Sequence, residues 1–178
     1  DAVTIDFTKR PLSKRIKDFQ IFNEQDIRDK YDLKQDSRDW VLQKAVYDLK
    51  TNFSEKNYRY IQYRPFDYRW TYFTGISKGF FAYSQNRIMR NFRKENLAII
   101  TGRQGQAVGS MQWNLSFITN NISDQNIYYR GGGTVLPLYI YADSKNDGMF
   151  EEQSRKPNLD NDIVNQIAEK VGLTFTSE

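Results

Sequence analysis

The sequence contains no cysteine and no histidine among its 178 residues. The absence of cysteine excludes a disulfide scaffold, a zinc ribbon and thiol catalysis. The absence of histidine removes the side chain that proteins use most often for general acid–base catalysis and for binding transition metals. Apolar runs are short as well: stretches such as 97–100 and 135–142 fall far below the roughly 20 residues of a membrane-spanning helix. We therefore predict a chain that has neither a metal site nor a membrane contact.

A chain of 178 residues corresponds to one domain with a sizeable core, because domains most often contain roughly 100–150 residues. It opens at Asp1, without an initiator methionine or a charged-then-apolar leader, so we expect a cytoplasmic piece of a longer protein. The single domain divides by composition into a helical lead-in over 1–55, a basic, aromatic-rich β core over 56–142, and an acidic loop with a C-terminal helix over 143–178.

The net charge of +4 is distributed unevenly along the chain. Residues 1–55 contain 11 Lys and Arg against 11 Asp and Glu, residues 56–130 contain 11 against 3, and residues 131–178 contain 4 against 8. A basic segment of this length is typical of a surface that binds a polyanion. An ordinary solvated basic surface is the alternative, and charge alone fits both interpretations.

Periodicity predicts an α+β fold with helices first, a mostly antiparallel β-sheet core with an inserted helix, and a closing helix. Helices are predicted over 12–22, from an Asn23 cap to Tyr31, from a Ser37 cap to Lys50, over 86–94, and over 160–171 with Asn158 or Asp160 as cap and Gly172 past the end. Strands are predicted on both sides of Pro65 and over 97–101, 114–119, 127–129 and 134–141, and 145–157 is expected to be a mobile loop.

Catalytic motifs are missing. The sequence contains no GxxxxGK[ST] loop, no GxGxxG loop and no Asn/Asp-Pro-Pro-aromatic tetrapeptide. The glycine triplet at 131–133 leads into a predicted strand rather than a helix, which favours a turn over a phosphate cradle. Acidic-x-Lys triplets at 32–34, 48–50 and 143–145 imitate half of a metal-nuclease signature, as expected by chance in a charged chain. We therefore predict that this chain alone is not an enzyme.

The segment 58–73, YRYIQYRPFDYRWTYF, contains eight aromatic residues and three arginines among 16 residues. Alternating aromatic residues across two paired strands build one half of a core, while the arginines project from the other face. Asp67 is placed to accept hydrogen bonds from Arg64, from Arg69 or from the turn. The simplest interpretation is an aromatic-packed hairpin with an internal ion pair.

Part of this segment, IQYRPFDYRWTYF, resembles the signature YRPFD-x-R-x-x-Y in the C-terminal region of Type ISP restriction–modification enzymes and related large adenine methyltransferases. Further resemblances follow in the same order: RIMRNF at 87–92, NLAIITGRQ at 96–104, LPLYIY at 136–141 and KPNL at 156–159. This ordered set covers nearly the whole chain, which is therefore identified as a member of that family.

In that family this region is the target recognition domain, which follows an N6-adenine methyltransferase domain. The resemblance implies a module that recognises double-stranded DNA and positions the flipped target adenine for the methyltransferase domain of the same parent chain. It also implies that S-adenosylmethionine belongs to that parent domain, that this chain holds no cofactor, and that the motif residues are scaffold. Whether the parent also cleaves DNA is left open, as is the recognised sequence.

Chemistry ranks the candidate DNA contacts. Arginine reads guanine and asparagine or glutamine reads adenine in the major groove, and small residues allow close approach. The loop 101–114, TGRQGQAVGSMQWN, fits this chemistry, with a solvent-exposed loop as the alternative. We assign base readout to Arg103, Gln104, Gln106, Gln112 and Asn114, together with Asn86 in a second loop. We assign phosphate contacts to Lys78, Arg87, Arg90, Arg93 and Arg130, although the arginines spaced by three could also form a solvated helix face.

Two other classes of function stay open at this point. The exposed aromatic residues would suit a sequence-tolerant binder of single-stranded DNA or RNA, which strong single-strand binding without duplex preference would favour. The tyrosine-rich surface would also suit a protein-interaction domain, which salt-insensitive self-association without affinity for nucleic acid would favour.

Overall fold

The structure is a computed structural model that describes residues 3–102, 115–128, 132–142 and 155–176. Its helices are α1 (Lys9–Ile21), α2 (Glu24–Tyr31), α3 (Leu42–Thr51), α4 (Asn86–Met89) and α5 (Asn161–Val171), with 3₁₀ turns at Glu55–Asn57 and Arg90–Arg93. Its strands are β1 (Ile5–Asp6), β2 (Tyr58–Arg64), β3 (Asp67–Tyr72), β4 (Ala98–Thr101), β5 (Ser116–Thr119), β6 (Ile122–Ser123), β7 (Thr134–Pro137), β8 (Tyr139–Tyr141) and β9 (Arg155–Pro157). The predicted α+β class is confirmed.

The N-terminal helices pack on one face of the β2–β3 hairpin. Helix α1 buries Leu12, Ile16 and Phe19 completely, as its apolar spacing predicts. Helix α2 begins where predicted, because the Asn23 side chain accepts a hydrogen bond from the Asp26 amide.

The predicted Ser37 cap of the third helix is wrong. The Ser37 hydroxyl accepts hydrogen bonds from the amides of Asp39 and Trp40, at 3.3 and 3.1 Å, and so closes a local turn. Helix α3 begins later, at Leu42, whose amide donates to the Asp36 carboxylate at 3.0 Å. The cap is therefore supplied from outside the usual cap position, by a residue six positions before the helix start.

The strands form three sheets, with orders β1-β3-β2-β6, β5-β4-β7 and β8-β9. Pairing is antiparallel as predicted, except that β2 pairs in parallel with β6. The β2–β3 hairpin is the layer shared by two cores. Tyr58 and Tyr72 lie in the core beneath the helices, whereas Ile61 and Phe73 lie in the core against the β5-β4-β7 sheet. Both faces of the aromatic segment are therefore largely packed.

The predicted ion pair of this hairpin is confirmed. Arg69 donates from Nε and Nη2 to the Asp67 carboxylate at 2.8–3.1 Å, and the pKa of Asp67 is lowered chiefly by this hydrogen bonding. Arg64 instead pairs with Asp124 at 3.2 Å and so joins the hairpin to the chain after β6. The charged residues of the signature segment thus contact other residues of the chain itself.

Two buried asparagines of the family-like segments tie distant elements together. The Asn96 amide group donates to the Tyr139 carbonyl at 2.8 Å and accepts from the Tyr139 amide at 3.1 Å. The Asn91 side-chain oxygen accepts from the Tyr141 amide at 2.9 Å. Asn96 also donates to the Asn91 carbonyl at 3.1 Å. Strand β8 is thereby fixed to the arginine-bearing turn, which agrees with a scaffolding role for these motif residues.

Several predicted elements need correction. No strand is present at Ile127 and Tyr128, which are buried outside regular structure, and position 129 lies outside the described residues. The predicted strand over 134–141 is interrupted at Leu138, whose amide donates to the Leu97 carbonyl while the chain passes from β7 to β8. Residues 155–157 of the predicted mobile loop form β9 opposite β8, and the rest of that loop lies outside the described residues. The predicted helix over 86–94 changes from α to 3₁₀ at Arg90.

Helix α5 has the predicted ends. Asp160 accepts hydrogen bonds from the amides of Asp162 and Ile163, and Gly172 follows in the left-handed conformation at φ +66°. No residue of this helix is buried, and the side chains of Ile163, Ile167 and Val171 are more than half exposed. Among the described residues, no helix combines the length and the apolar character needed to cross a membrane.

Candidate nucleic-acid interface

Two of the predicted DNA-contacting segments attach at the same end of the strands in the β5-β4-β7 sheet. Thr101 at the end of β4 lies opposite Ser116 of β5 and Thr134 of β7. The predicted readout loop connects β4 to β5, and the segment containing Arg130 precedes β7. Its predicted base readers Arg103, Gln104, Gln106, Gln112 and Asn114, like Arg130, lie outside the described residues. The described residues nevertheless show where both segments attach, which is at the same end of these strands.

Tyr128 packs beneath the attachment points of the loop. Its hydroxyl lies within hydrogen-bond distance of the Ile100 carbonyl on β4 (3.3 Å) and of the Leu115 carbonyl just before β5 (3.2 Å). Burial raises the pKa of Tyr128, so the phenol stays a proton donor. A Cβ at Gly102 would lie 2.9 Å from the Tyr128 ring, and one at Gly133 would lie 2.8 Å from Ile127. These two glycines therefore permit the close packing at this edge.

The predicted arginine clamp lies on α4 and the 3₁₀ turn that follows it. Arg87 and Arg93 are exposed, whereas Arg90 is half-buried and its Nε is enclosed by protein. Arg93 donates from Nη2 to the Thr74 carbonyl at 3.2 Å. Because residues three apart align in a 3₁₀ turn, the three arginines still follow one another along one side. Arg93 is the member whose position the described contacts define best.

Arg59 on β2 is a basic neighbour that the sequence reasoning missed. Its Nη2 donates to the Arg93 carbonyl at 3.4 Å. Burial and the nearby positive charge of Arg93 lower the pKa of Arg59. Neither arginine forms an ion pair within the described part of the chain. The Arg59 guanidinium lies against the main chain of Arg93 and has no carboxylate partner among the described residues, so this place offers positive charge to an anion such as a phosphate.

A buried carboxylate, that of Asp48, holds the loop that Arg93 contacts. Asp48 of α3 is 2% exposed. It accepts hydrogen bonds from the Thr74 hydroxyl at 2.8 Å, the Phe80 amide at 2.9 Å and the Asn52 side chain at 3.0 Å. Asp48 therefore holds the 74–80 loop against the helical part, and the carbonyl of Thr74 in that loop receives Arg93.

Lys78 and Asn86 have surroundings that differ from those predicted. Lys78 is exposed, with φ +58°. It lies near Asp39, whose pKa is lowered mainly by Arg38, with smaller contributions that include Lys78. The side-chain oxygen of Asn86 is buried, and a Cβ at Gly75 would lie only 2.5 Å from it. Bidentate recognition of adenine needs both amide atoms, so Asn86 would have to turn before it could read a base.

The two predicted DNA-contacting groups lie at opposite ends of β4. Arg93 precedes the strand by five positions, and the readout loop follows it. Strand β4 has four residues and therefore places roughly 10 Å of extended chain between the two segments.

A basic α+β domain in which Arg59 and Arg93 have no acidic partner among the described residues, and in which a glycine-rich Arg/Gln segment follows strand β4, belongs to the class of nucleic-acid recognition modules. Residues 1–178 match the Type ISP C-terminal specificity domain, and the chain belongs to this family. It is thus a target specificity domain of a restriction–modification enzyme, as the sequence predicted.

Solved structures agree on the fold. The chain is similar to the ATP-dependent Type ISP restriction–modification enzyme LlaBIII bound to DNA, with a TM-score of 0.60 and 16% identity over 93% of this chain and 11% of that one. It is similar to the DrdV–DNA complex, with a TM-score of 0.58 and 15% identity over 97% of this chain and 16% of that one. It is also similar to a nuclease-deletion mutant of the Type ISP enzyme LlaGI in complex with a DNA substrate mimic, with a TM-score of 0.54 and 21% identity over 94% of this chain and 16% of that one. The chain thus spans between 11% and 16% of their length, and no curated protein matches it.

Proposed function

We propose that the chain reads the base sequence of duplex DNA and thereby positions the target adenine for an N6-adenine methyltransferase domain of the same parent chain. The solved structures that share its fold are DNA complexes, which supports this proposal. S-adenosylmethionine would be bound by the methyltransferase domain, and the parent enzyme would act in the cytoplasm. The domain itself would contribute recognition and no chemistry, consistent with a sequence that contains neither histidine nor cysteine.

The arrangement around β4 is the observation that carries the proposal. The loop after β4 supplies the side chains that discriminate base edges, with Arg103 for guanine and Gln104 or Gln106 for adenine. The turn before β4 supplies cationic groups that neutralise phosphates, with Arg93 and Arg59 adjacent to each other. A short rigid strand between them would hold the readout loop in the groove while the arginines contact its phosphate border.

The two ends of β4 should therefore respond differently to substitution. Phosphates are chemically the same at every step of the duplex, so Arg93→Ala and Arg90→Ala should weaken binding to all sequences alike. Each should flatten the log–log dependence of affinity on salt by roughly one unit. Arg103→Ala or Gln104→Ala should instead cost about 1–3 kcal/mol on the cognate site and change binding to random DNA little.

The experiment belongs in the parent enzyme, with methylation of cognate and near-cognate sites as the readout. A matched control is Arg38→Ala, which removes an exposed arginine that is already paired with Asp39. If Arg103→Ala lowers methylation equally on every sequence, the loop is a clamp and its role as a reader is refuted. If Arg93→Ala changes which sequences are methylated, the two roles are reversed.

A further inference from the structure

A small pocket lies at the open edge of β2. Strand β6 pairs with β2 only at Ile61 and Gln62, so within the described residues the preceding stretch of β2 has no strand on that side. A pocket of about 240 Å³ occupies this place. Its walls include Arg59, Tyr60, Trp70, Phe92, Asn120 and Asn121. It is smaller than the roughly 300–1,000 Å³ sites of drug-sized ligands, and so suits a single small planar group.

The aromatic wall of this pocket is exposed, unlike most of the hairpin. Tyr60 and Trp70 are cross-strand partners. Their ring centroids lie 4.2 Å apart at an interplanar angle of 37°. Tyr60 is 46% exposed, whereas Tyr58 and Tyr72 on the same face are buried. Trp70 is partly buried against the helical core, so the exposed ring of Tyr60 is the surface on which a nucleobase would stack.

The opposite wall carries amide groups. Asn120 and Asn121 form the turn between β5 and β6, and the side-chain nitrogen of Asn121 donates to the side-chain oxygen of Asn120 at 2.5 Å. The side-chain nitrogen of Asn120 and the side-chain oxygen of Asn121 form no hydrogen bond with described residues. Together they present a hydrogen-bond donor and an acceptor, which is the chemistry that a base edge requires.

The third feature is the cation at the pocket mouth. Arg59 lines the pocket and contacts the Arg93 carbonyl. No Asp or Glu lines the pocket within the described residues, which disfavours a cationic ligand. A flat aromatic ligand that carries a phosphate accounts for all three features together, whereas a free phosphate would leave the rings and the amides without a role.

We propose that this pocket binds one unpaired nucleotide of the DNA that the domain recognises. The base stacks on Tyr60, whose ring Trp70 supports, its edge meets Asn120 and Asn121, and its phosphate lies at Arg59. This inference rests on the proposed function, since it takes the DNA from the recognised duplex. Unpairing is least costly where a base is already extrahelical, so the pocket should favour duplexes that contain such a base.

The test compares two short duplexes. One is fully paired, and the other has the same sequence with one additional unpaired adenosine, which is replaced by the fluorescent analogue 2-aminopurine. The 178-residue chain should bind the bulged duplex about tenfold more tightly than the perfect one and should quench the 2-aminopurine, as stacking predicts. Tyr60→Ala should abolish both effects and leave affinity for the perfect duplex unchanged. Tyr60→Phe should retain both effects, because stacking needs the ring and not the hydroxyl.

Tyr68→Ala is the matched control, since Tyr68 lies on the same face of the hairpin, is 43% exposed and does not line the pocket. It should leave the preference for the bulge intact. Binding to the perfect duplex without a preference for the bulge would overturn the inference while the proposed function stands. Equal losses in Tyr60→Ala and Tyr68→Ala would overturn it too. A chain that binds neither duplex would instead refute the proposed function.

Discussion

Substitution of Asp48 should reveal how strongly the helical part supports the DNA-contacting loop. The carboxylate is buried and accepts three hydrogen bonds, from Thr74, Phe80 and Asn52. Asp48→Ala leaves the buried Phe80 amide and the Thr74 hydroxyl without their acceptor. Hydrogen bonds to a charged group contribute about 1.5–3 kcal/mol each, and removal of the charge recovers part of its desolvation cost. We expect a net loss of about 3–5 kcal/mol in the free energy of unfolding.

A double-mutant cycle with Gly79 isolates the contact. A Cβ at Gly79 would lie 2.3 Å from the Asp48 carboxylate oxygen, so Gly79→Ala must displace a side chain that three hydrogen bonds hold in place. Overpacking of this kind costs about 1–3 kcal/mol. In the Asp48→Ala background the carboxylate is gone and only the Cβ of residue 48 remains, 3.0 Å from the added Cβ, so Gly79→Ala should cost less than in the native background. The coupling energy should therefore exceed about 1 kcal/mol.

Urea unfolding, followed by circular dichroism, measures these free energies for the native chain, for Asp48→Ala, for Gly79→Ala and for the double variant. Asp29→Ala is the control, because Asp29 is exposed and, among the described residues, accepts only from Gln25 in the same helix; it should change stability by less than about 0.5 kcal/mol. Equal effects of Gly79→Ala in both backgrounds would refute the packing argument. A loss below about 1 kcal/mol for Asp48→Ala would refute the estimate for the hydrogen bonds.

Three further outcomes are expected. The purified chain should neither methylate nor cleave DNA with S-adenosylmethionine and magnesium present, and turnover that persists through repurification would contradict this. The pKa of Asp36 is lowered below 3.8 by the hydrogen bonds that it accepts from Arg28 and the Leu42 amide. The contribution of Asp36 to stability is therefore present above pH 3.8 and is lost as the pH falls below that value. Asp36→Asn should flatten the acid limb of a Tm–pH curve. Ile167→Ser on exposed α5 should change the free energy of unfolding of this chain by less than about 0.5 kcal/mol, whereas Leu12→Ala should cost about 2–5 kcal/mol; a cost at Ile167 comparable to that at Leu12 would mean that α5 is packed in solution.

Features set by neighbouring residues could be predicted from the sequence. The Asn23 cap, the Asp160 cap and the Gly172 end of α5 depend on side chains within one helical turn, and each was found in place. The alternation of aromatic residues around Pro65 also predicted the β2–β3 hairpin and its Asp67 ion pair. Local chemistry was sufficient in these cases because the groups that interact are close in the chain.

Features that depend on distant residues could not be predicted. Arg59 and Arg93 are 34 positions apart, and their strand and turn show no shared periodicity. Strand β6 is two residues long, too short to carry a pattern, and its parallel pairing comes from the fold of the intervening chain. One local feature was missed as well: the third helix starts at Leu42 rather than after Ser37, because Asp36, six positions earlier, accepts from its first amide.

The support beneath the readout loop has a consequence for how such domains diversify. The Tyr128 hydroxyl lies within hydrogen-bond distance of a main-chain carbonyl near each end of the loop, at Ile100 and at Leu115, and every amino acid provides a carbonyl. The anchor is therefore indifferent to the side chains that the loop carries. Mutation can exchange loop residues, or recombination the whole segment, while the sheet beneath stays folded. A change of target sequence would then require few simultaneous substitutions, and a loop transplanted between relatives at Gly102 and Leu115 should carry its specificity with it.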